Sequence, residues 1–342
     1  MSLMRLEAAE APAAVAHLLA HDGDAYAALG EQLRATPPRS ILTLARGSSD
    51  HAAHYAGYLL MARLGRLVTS LPMSLITLYG ARIECDGLLS LAFSQSGQSP
   101  DLVLPTQQFG ARGARTVAFV NDAASPLAQA ARWAFALHAG AERSVAATKS
   151  FIAQMSAGAR LVAAWQGHAP LAAALAELPD ALSAAHATGQ AWCEVGVPAL
   201  AQAEHLYVIG RGTGLAVAME AALKMKEVCG IQAEALSGAE LRHGPLALVG
   251  AGYPVLLFAP RGPALPGLLA LADDLRERGA EVLLAAPPNT PGSTLSLTTT
   301  ADPDLDPIAA IQSFYPLVEA LARERGRDPD QPPHLAKVTR TQ

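Results

Sequence analysis

The chain reads as an α/β protein: parallel sheets covered by helices on both faces, built as two similar halves. Two observations predict this. Short apolar runs alternate with amphipathic stretches along the chain, as parallel sheets require. Ordered matches at a single offset then relate the second half to the first. The pattern predicts a strand at Ser40–Ala45, the turn Gly47–Asp50 and a helix over about 51–64. It predicts a second strand at Leu88–Phe93, the turn Ser94–Gly97 and a helix over about 101–110. Further strands are predicted at Arg115–Val120 and Trp133–Leu137, before a long helix over about 147–165. An Ala-rich helical join spans about 171–197. The second half opens with a strand at 205–209, the turn Gly210–Gly214 and a helix, and closes with a helix over 307–325. The expected organisation is an extension (1–25), a first domain (26–170), the join (171–197), a second domain (198–325) and a polar tail (326–342).

The internal repeat has an offset of 165. Arg46-Gly47-Ser48 matches Arg211-Gly212-Thr213, Gly65 matches Gly230, and Phe93 matches Phe258. Arg112-Gly113-Ala114 matches Arg278-Gly279-Ala280 one residue out of step. These matches fall between equivalent predicted elements, which points to a duplicated domain.

Bulk composition narrows the class. The 342 residues are 51% hydrophobic with a mean hydropathy of +0.22, which implies sizeable buried cores. That length predicts about two domains. No apolar stretch is long and charge-free enough for a membrane helix. The start, MSLMRLEAAEAPAAV, lacks a signal peptide's apolar core, so a cytoplasmic protein is expected. A net charge of −5 with no basic cluster argues against nucleic acid. Cys85, Cys193 and Cys229 are far apart and odd in number, and read as buried thiols of a reducing compartment. No cofactor or metal is expected: HExxH and CxxC are absent, and His51 and His54 lack a third ligand. GxxxxGK[ST] is also absent, and Gly210–Gly214 lacks the third glycine of a dinucleotide fingerprint.

Chemistry concentrates between Met219 and Pro245. Glu220, Lys224 and Glu227 lie four and then three residues apart, so a helix puts them on one face. A histidine, His243, follows in the turn Glu240–Pro245. A solvated salt-bridge ladder is the common use of such spacing. Here, however, only 16% of the chain is charged, and the helix is rich in Ala, Leu and Met. The strand–turn–helix layout aims this group at a cleft equivalent to that of the first half. The first half instead carries hydroxyls: Ser48, Ser49, Ser94, Ser96 and Ser99, with Gln95, where strands turn into helices. Such turns bind anions through backbone N–H groups and the helix dipole. Simple helix capping by Ser48 and Ser94 is the alternative.

These motifs together resemble the sugar isomerase (SIS) domain family. Ser94–Ser99 (SQSGQS) resembles its SQSGET phosphate loop, and Val145–Lys149 (VAATK) its VASTK. Glu220–Glu227 resembles EGALKLKE, Glu240–Pro245 resembles ELKHGP, and Asp330–Lys337 resembles DQPRNLAK. The resemblance is to the isomerase half of glutamine–fructose-6-phosphate amidotransferase, from about residue 25 to 340. It implies two tandem flavodoxin-like (SIS) domains. Ser94, Gln95, Ser96 and Ser99 would hold a sugar 6-phosphate, with Ser48 and Ser49 contacting sugar or phosphate, and Val145 and Ala336 lining the site. Glu227 would move a proton between C1 and C2, His243 would open the ring, Lys224 would steady the enolamine, and Lys337 would close over the sugar. In the family the histidine comes from the neighbouring subunit, which implies a homodimer with shared sites.

The chemistry agrees with those roles. One carboxylate, its pKa raised by burial, can serve both carbons, and histidine titrates near neutrality. Departures from the family pattern bear on the exact reaction. Arg46 replaces the usual Cys, Ser48 the Thr, Gln98 the Glu and Ala147 the Ser, and the tail reads LAKVTRT. No glutaminase segment with a catalytic Cys after Met1 is seen. The expected activity is therefore an amino sugar 6-phosphate isomerase that releases ammonia. Alternatives are a fructosamine 6-phosphate deglycase, a synthase fed by a separate glutaminase, and a sugar-phosphate sensor.

Overall fold

The computed structural model describes residues 1–167 and 169–337; the part of the tail beyond Lys337, on which the Val338–Thr341 comparison fell, lies outside the described residues. Three helices come first: α1 (Leu3–Ala9), α2 (Ala11–Ala20) and α3 (Gly23–Ala35). The first sheet region runs β1 (Ser40–Leu44), α4 (Ser48–Leu64), β2 (Val68–Ser70), α5 (Ser74–Thr77), β3 (Leu88–Ser94), α6 (Pro100–Ala111), β4 (Arg115–Val120), α7 (Pro126–Ala130) and β5 (Trp133–Ala136). Helices α8 (Lys149–Gln166), α9 (Ala169–Ala176) and α10 (Leu178–Leu200) follow. The second region runs β6 (His205–Gly210), α11 (Gly214–Lys224), β7 (Gln232–Ser237), β8 (Pro254–Phe258), α12 (Leu265–Glu277), β9 (Glu281–Ala286), β10 (Leu295–Ser296) and α13 (Asp306–Glu324).

Each region forms one five-stranded parallel sheet. The orders are β2-β1-β3-β4-β5 and β10-β9-β8-β6-β7. Numbered within its own region, each sheet reads 2-1-3-4-5, the flavodoxin-like order. The two tandem α/β domains predicted from the sequence are therefore present, and their duplication extends to topology. The matched glycines agree: Gly65 and Gly230 have φ of +63° and +64°. Each ends the first helix of its sheet in the left-handed conformation glycine tolerates best. The edge strand β2 escaped the sequence reading because three residues are too few for a periodic signal.

Contacts divide the chain into two compact units that are not simple halves. One holds residues 13–142, 149–176 and the tail from 336; the other holds 1–12, 143–148 and 177–335. In the first, every residue of β3 is buried, as a strand covered on both faces demands. Phe93, Phe119 and Phe135 lie directly across from one another on β3, β4 and β5. Their ring centroids are 4.8 and 5.7 Å apart, and Tyr26 of α3 packs on Phe135 at 4.1 Å. Burying each such ring contributes about 1.5–3 kcal/mol.

In the second unit α10 packs along α13, and α13 is buried through most of its length. Helix α1 packs on α13 too. Gln312 Nε2 donates to the Ala8 carbonyl at 2.9 Å, and Ser2 Oγ to the buried Glu319 carboxylate at 2.7 Å. The Asp330 carboxylate accepts from the N–H groups of Leu3 and Met4, both at 2.7 Å, which fixes the start of α1. Cys85 and Cys229 are buried as expected, whereas Cys193 of α10 is only half-buried. Among the described residues no helix is long and apolar enough to cross a membrane.

Candidate active site

The serine turns lie where the first sheet's order reverses. The carboxyl ends of β1 and β3 are neighbours there, and the helices leaving them, α4 and α6, run in opposite directions around the sheet. Ser94 ends β3, and its Oγ accepts the Gly97 N–H at 2.9 Å. Gly97 has φ +63°, and a Cβ there would sit 2.1 Å from Ser125 Oγ, so the loop closes only around glycine. Ser96 Oγ accepts the Gln98 N–H at 3.3 Å. Ser99 occupies the N-cap of α6, but its side chain makes no capping bond. Ser48 is the first residue of α4, not its cap, because Gly47 holds that place. Ser49 is buried and accepts from Gln154 Nε2 at 3.0 Å. Gln95 is half-buried, and its carbonyl accepts the Asn121 N–H at 3.3 Å. The plain capping alternative therefore fails for Ser48, and Ser94 caps its own loop, not α6.

Arg46 stands beside these turns. Its Nη2 lies 3.2 Å from Asp101 Oδ2 in the first turn of α6. Asp101 is almost fully buried, while half of the arginine side chain is exposed. A guanidinium at a loop of this kind adds positive charge where an anion would sit.

The acid/base group belongs to the other unit. Glu220 and Lys224 end α11, and both are fully buried. The chain then widens into a π-helical turn, Met225–Cys229, which carries Glu227. Lys224 Nζ lies 3.3 Å from Glu220 Oε1 and 2.6 Å from Glu227 Oε2. The three charges share one face as the spacing predicted, but not as a solvated ladder. Their side-chain exposures are 0%, 1% and 20%, so Glu227 alone reaches solvent. Burial by itself lowers the Lys224 pKa, and the charges and hydrogen bonds of Glu220 and Glu227 reverse this, leaving it above the ordinary lysine range. The ammonium therefore stays charged. Single π-turns recur at functional sites because they re-aim side chains that an α-helix would place elsewhere.

His243 is exposed at the end of a short 3-10 turn, Glu240–His243. The expectation that acid and base groups meet at the second sheet's counterpart of the serine turns is not met. Helix α11 leaves the carboxyl end of β6 and runs back, so Glu227 lies near the amino ends of the strands. His243 follows β7 and lies past its carboxyl end. The six residues of β7 between them span roughly 20 Å. Glu227 and His243 of one chain therefore do not face a common point.

The remaining expected residues surround the loop before α8. Lys337 Nζ pairs with the buried Glu142 carboxylate at 3.0 Å, which also accepts from Ser150 N–H at 3.1 Å and Ser150 Oγ at 2.5 Å. Val145 is half-buried, and its N–H donates to the Asp330 carbonyl at 3.3 Å. Glu7, also buried, accepts from the Arg143 and Ser144 N–H groups. Ala336 is exposed. Glu7, Asp101 and Glu142 were not singled out from the sequence. The signal available was a lone acid, beside a motif for Asp101 and Glu142 and beside none for Glu7, too weak without a contact partner.

The second sheet's counterpart of the serine loop has lost its hydroxyls. At the same offset Ala259, Pro260, Arg261 and Ala264 stand for Ser94, Gln95, Ser96 and Ser99. Arg261 instead clamps Asp306 at the start of α13, with Nε–Oδ2 and Nη2–Oδ1 distances of 2.7 Å. Arg261 thus has a structural role.

Comparison with known proteins agrees with this architecture. The SIS domain matches residues 36–164 and 199–317. The chain belongs to the SIS domain family. Glutamine–fructose-6-phosphate aminotransferase (isomerizing) of Aeropyrum pernix is 34% identical over 323 residues, covering 87% of this chain and 50% of that protein. The SIS protein thus spans about half the length of the curated relatives it matches. Among solved structures, a candidate phosphosugar isomerase of Silicibacter pomeroyi superposes with a TM-score of 0.91 at 43% identity, covering 96% of this chain and 100% of that one. The C-terminal domain of glucosamine-fructose-6-phosphate aminotransferase from Francisella tularensis gives 0.84 at 25% identity, covering 97% and 98%.

Proposed function

We propose that this SIS protein is a phosphosugar isomerase acting on an amino sugar 6-phosphate and releasing its nitrogen as ammonia. The observation that carries the proposal is the buried Glu220–Lys224–Glu227 group with only Glu227 open to solvent. Burying three charges is expensive, and such groups persist where chemistry needs them. Glu227 is the base that takes the C2 proton of the opened sugar and returns it to C1. Lys224, buried and 2.6 Å from Glu227, positions the Glu227 carboxylate in this reading, whereas the resemblance implies that it steadies the enolamine. The C2 ketimine then adds water at C2 and expels ammonia, so glucosamine 6-phosphate and water give fructose 6-phosphate and ammonia. Ser94, Gln95, Ser96, Ser99, Ser48 and Ser49 hold the phosphate, aided by the N–H groups starting α6. His243 opens the ring from the partner subunit of a homodimer. The separation of Glu227 and His243 along β7 supports that arrangement. Lys337, with Val145 and Ala336, contributes to the sugar side of the site.

The test is to incubate the protein with glucosamine 6-phosphate without glutamine and measure ammonia and fructose 6-phosphate together. Equimolar release is expected. The names of the aminotransferase relatives favour one second reading, the synthetic direction with ammonia from a separate glutaminase. That reading gains if nothing is released while fructose 6-phosphate and ammonium together yield glucosamine 6-phosphate.

A further inference from the structure

Three histidines, none of them used above, form a cluster of their own. His17 sits in the last turn of α2, His21 just past its end, and His138 after β5. One ring nitrogen from each lies within 4.8 Å of the others. The ring centroids are 4.2, 5.0 and 4.5 Å apart. Among the described residues no other group of three or more His, Cys, Asp or Glu converges in this way.

We propose that His17, His21 and His138 form a binding site for a divalent first-row transition metal, separate from the sugar site. His17 and His21 are four residues apart, and the end of α2 brings their ring centroids to 4.2 Å. His21 Nδ1 is 2.7 Å from the His17 carbonyl and donates to it, which fixes the tautomer and leaves Nε2 with a lone pair for a metal. His138 Nε2 faces Asp22 Oδ2 at 3.3 Å, a carboxylate–imidazole contact of the kind that orients metal-bound histidines. The supports are rigid. Arg160 of α8 donates to the carbonyls of Leu18 and Leu19, and its guanidinium lies over the Tyr26 ring at 4.3 Å. His138 and Asp22 both hold left-handed backbone conformations, with φ of +52° and +58°. Such conformations cost energy in residues other than glycine and persist where the surroundings impose them. Small rotations of the rings close the spacing to the roughly 3.4 Å between nitrogens of a tetrahedral zinc site. Imidazole donors suit zinc, cobalt, nickel or copper, not calcium or magnesium. A bound ion would tie the end of α2 to the end of β5.

The probe is zinc. The full-length protein is stripped with chelator, dialysed against low-micromolar Zn²⁺ and assayed for metal per chain; Co²⁺ then reports geometry by its visible absorption. One equivalent is expected, with higher thermal stability. His17→Ala and His138→Gln should each weaken binding by about 10-fold or more, in the range that lost metal-site contacts produce. Ammonia release from the amino sugar phosphate should not change in these variants, which also reports that they fold. No bound zinc in the parent protein, or equal binding by both variants, would overturn the site.

Discussion

The two sheets of this protein have one topology and opposite chemistry. At the repeat offset, Glu220, Lys224 and Glu227 correspond to Tyr55, Leu59 and Ala62 of α4. Tyr55 and Leu59 are fully buried and uncharged, an ordinary helix face against a sheet. Their counterparts on α11 are equally buried and charged. The serine loop shows the reverse: hydroxyls on the first sheet, and Ala259, Pro260 and a structural Arg261 on the second. Duplication has kept strand order and the left-handed glycines Gly65 and Gly230, while the hydroxyls stand on one copy and the buried charges on the other. The fold alone accounts for α4. It does not account for Glu220 and Lys224, two fully buried charges on α11 beside Glu227 of the next turn, which cost stability that Tyr55 and Leu59 do not.

The largest effect should come from the one group of that face that meets solvent. Glu227→Gln keeps the shape and removes the base, so kcat should fall by about 10²- to 10⁴-fold with KM nearly unchanged. Near-normal turnover by stopped assay would break the comparison, since the charged face would then be structural.

Removing the buried ammonium tests the same face through stability. Lys224→Met strands Glu220 and should destabilise the protein by about 3–5 kcal/mol, read by urea unfolding. Glu220→Leu together with Lys224→Met removes both buried charges and should recover most of that loss, as the uncharged face of α4 implies. The double variant should still be slow, because Glu227 has lost the group that holds it. The raised Lys224 pKa fixes the pH dependence. A lysine held above its unfolded value contributes stability that is fully present below that value and lost only as pH rises through the folded one. From about pH 6 to 9 the parent protein's stability should therefore show no change from this pair.

Mixing variants tests where His243 acts. Glu227→Gln and His243→Ala homodimers should each be nearly inactive. If each site takes Glu227 from one chain and His243 from the other, co-refolded mixtures should regain roughly a quarter of parental activity, from the one intact site in each mixed dimer. No recovery would place both groups in the same chain's site or exclude the dimer.

How much of this was legible in the sequence depended on range. Local patterns carried the strands, helices and repeat: the apolar runs of β3 and β4, the spacing of Glu220, Lys224 and Glu227, and the hydroxyl-rich turns. What needed three dimensions was direction and long-range pairing. Nothing in Glu220–His243 says that α11 runs back to the amino ends of the strands, so the acid and base looked adjacent when β7 separates them. The π-turn at Met225–Cys229 is likewise invisible to helical periodicity, which continues through it. Glu142 and Lys337 are 195 residues apart, and only the fold brings them to 3.0 Å. His17 and His21, four residues apart, were not singled out in the sequence, because their third partner lies more than a hundred residues on, at His138.

The smallest effect concerns the arginines that begin each repeat. Arg46 and Arg211 occupy the same position after the first strand of their sheets, and both are exposed. Only Arg46 has the serine loop beside it, and its pair with Asp101 leaves half its side chain in solvent. The arginine end of the pair is half in solvent but Asp101 is buried, so Arg46→Ala should lower thermal stability modestly through the carboxylate it faces, and Arg211→Ala should not. A guanidinium at the rim of a phosphate site also acts on binding. Arg46→Ala should raise KM for the sugar phosphate by about 3- to 10-fold, within the range of a lost charge-assisted hydrogen bond, with kcat retained. Arg211→Ala should leave both constants alone. The pair isolates what the serine loop contributes, because position in the repeat is held constant while its chemical neighbourhood differs. Equal effects from the two substitutions would mean that overall positive charge, not the loop beside Arg46, draws the phosphate, and the division of labour between the sheets would then rest on Glu227 alone.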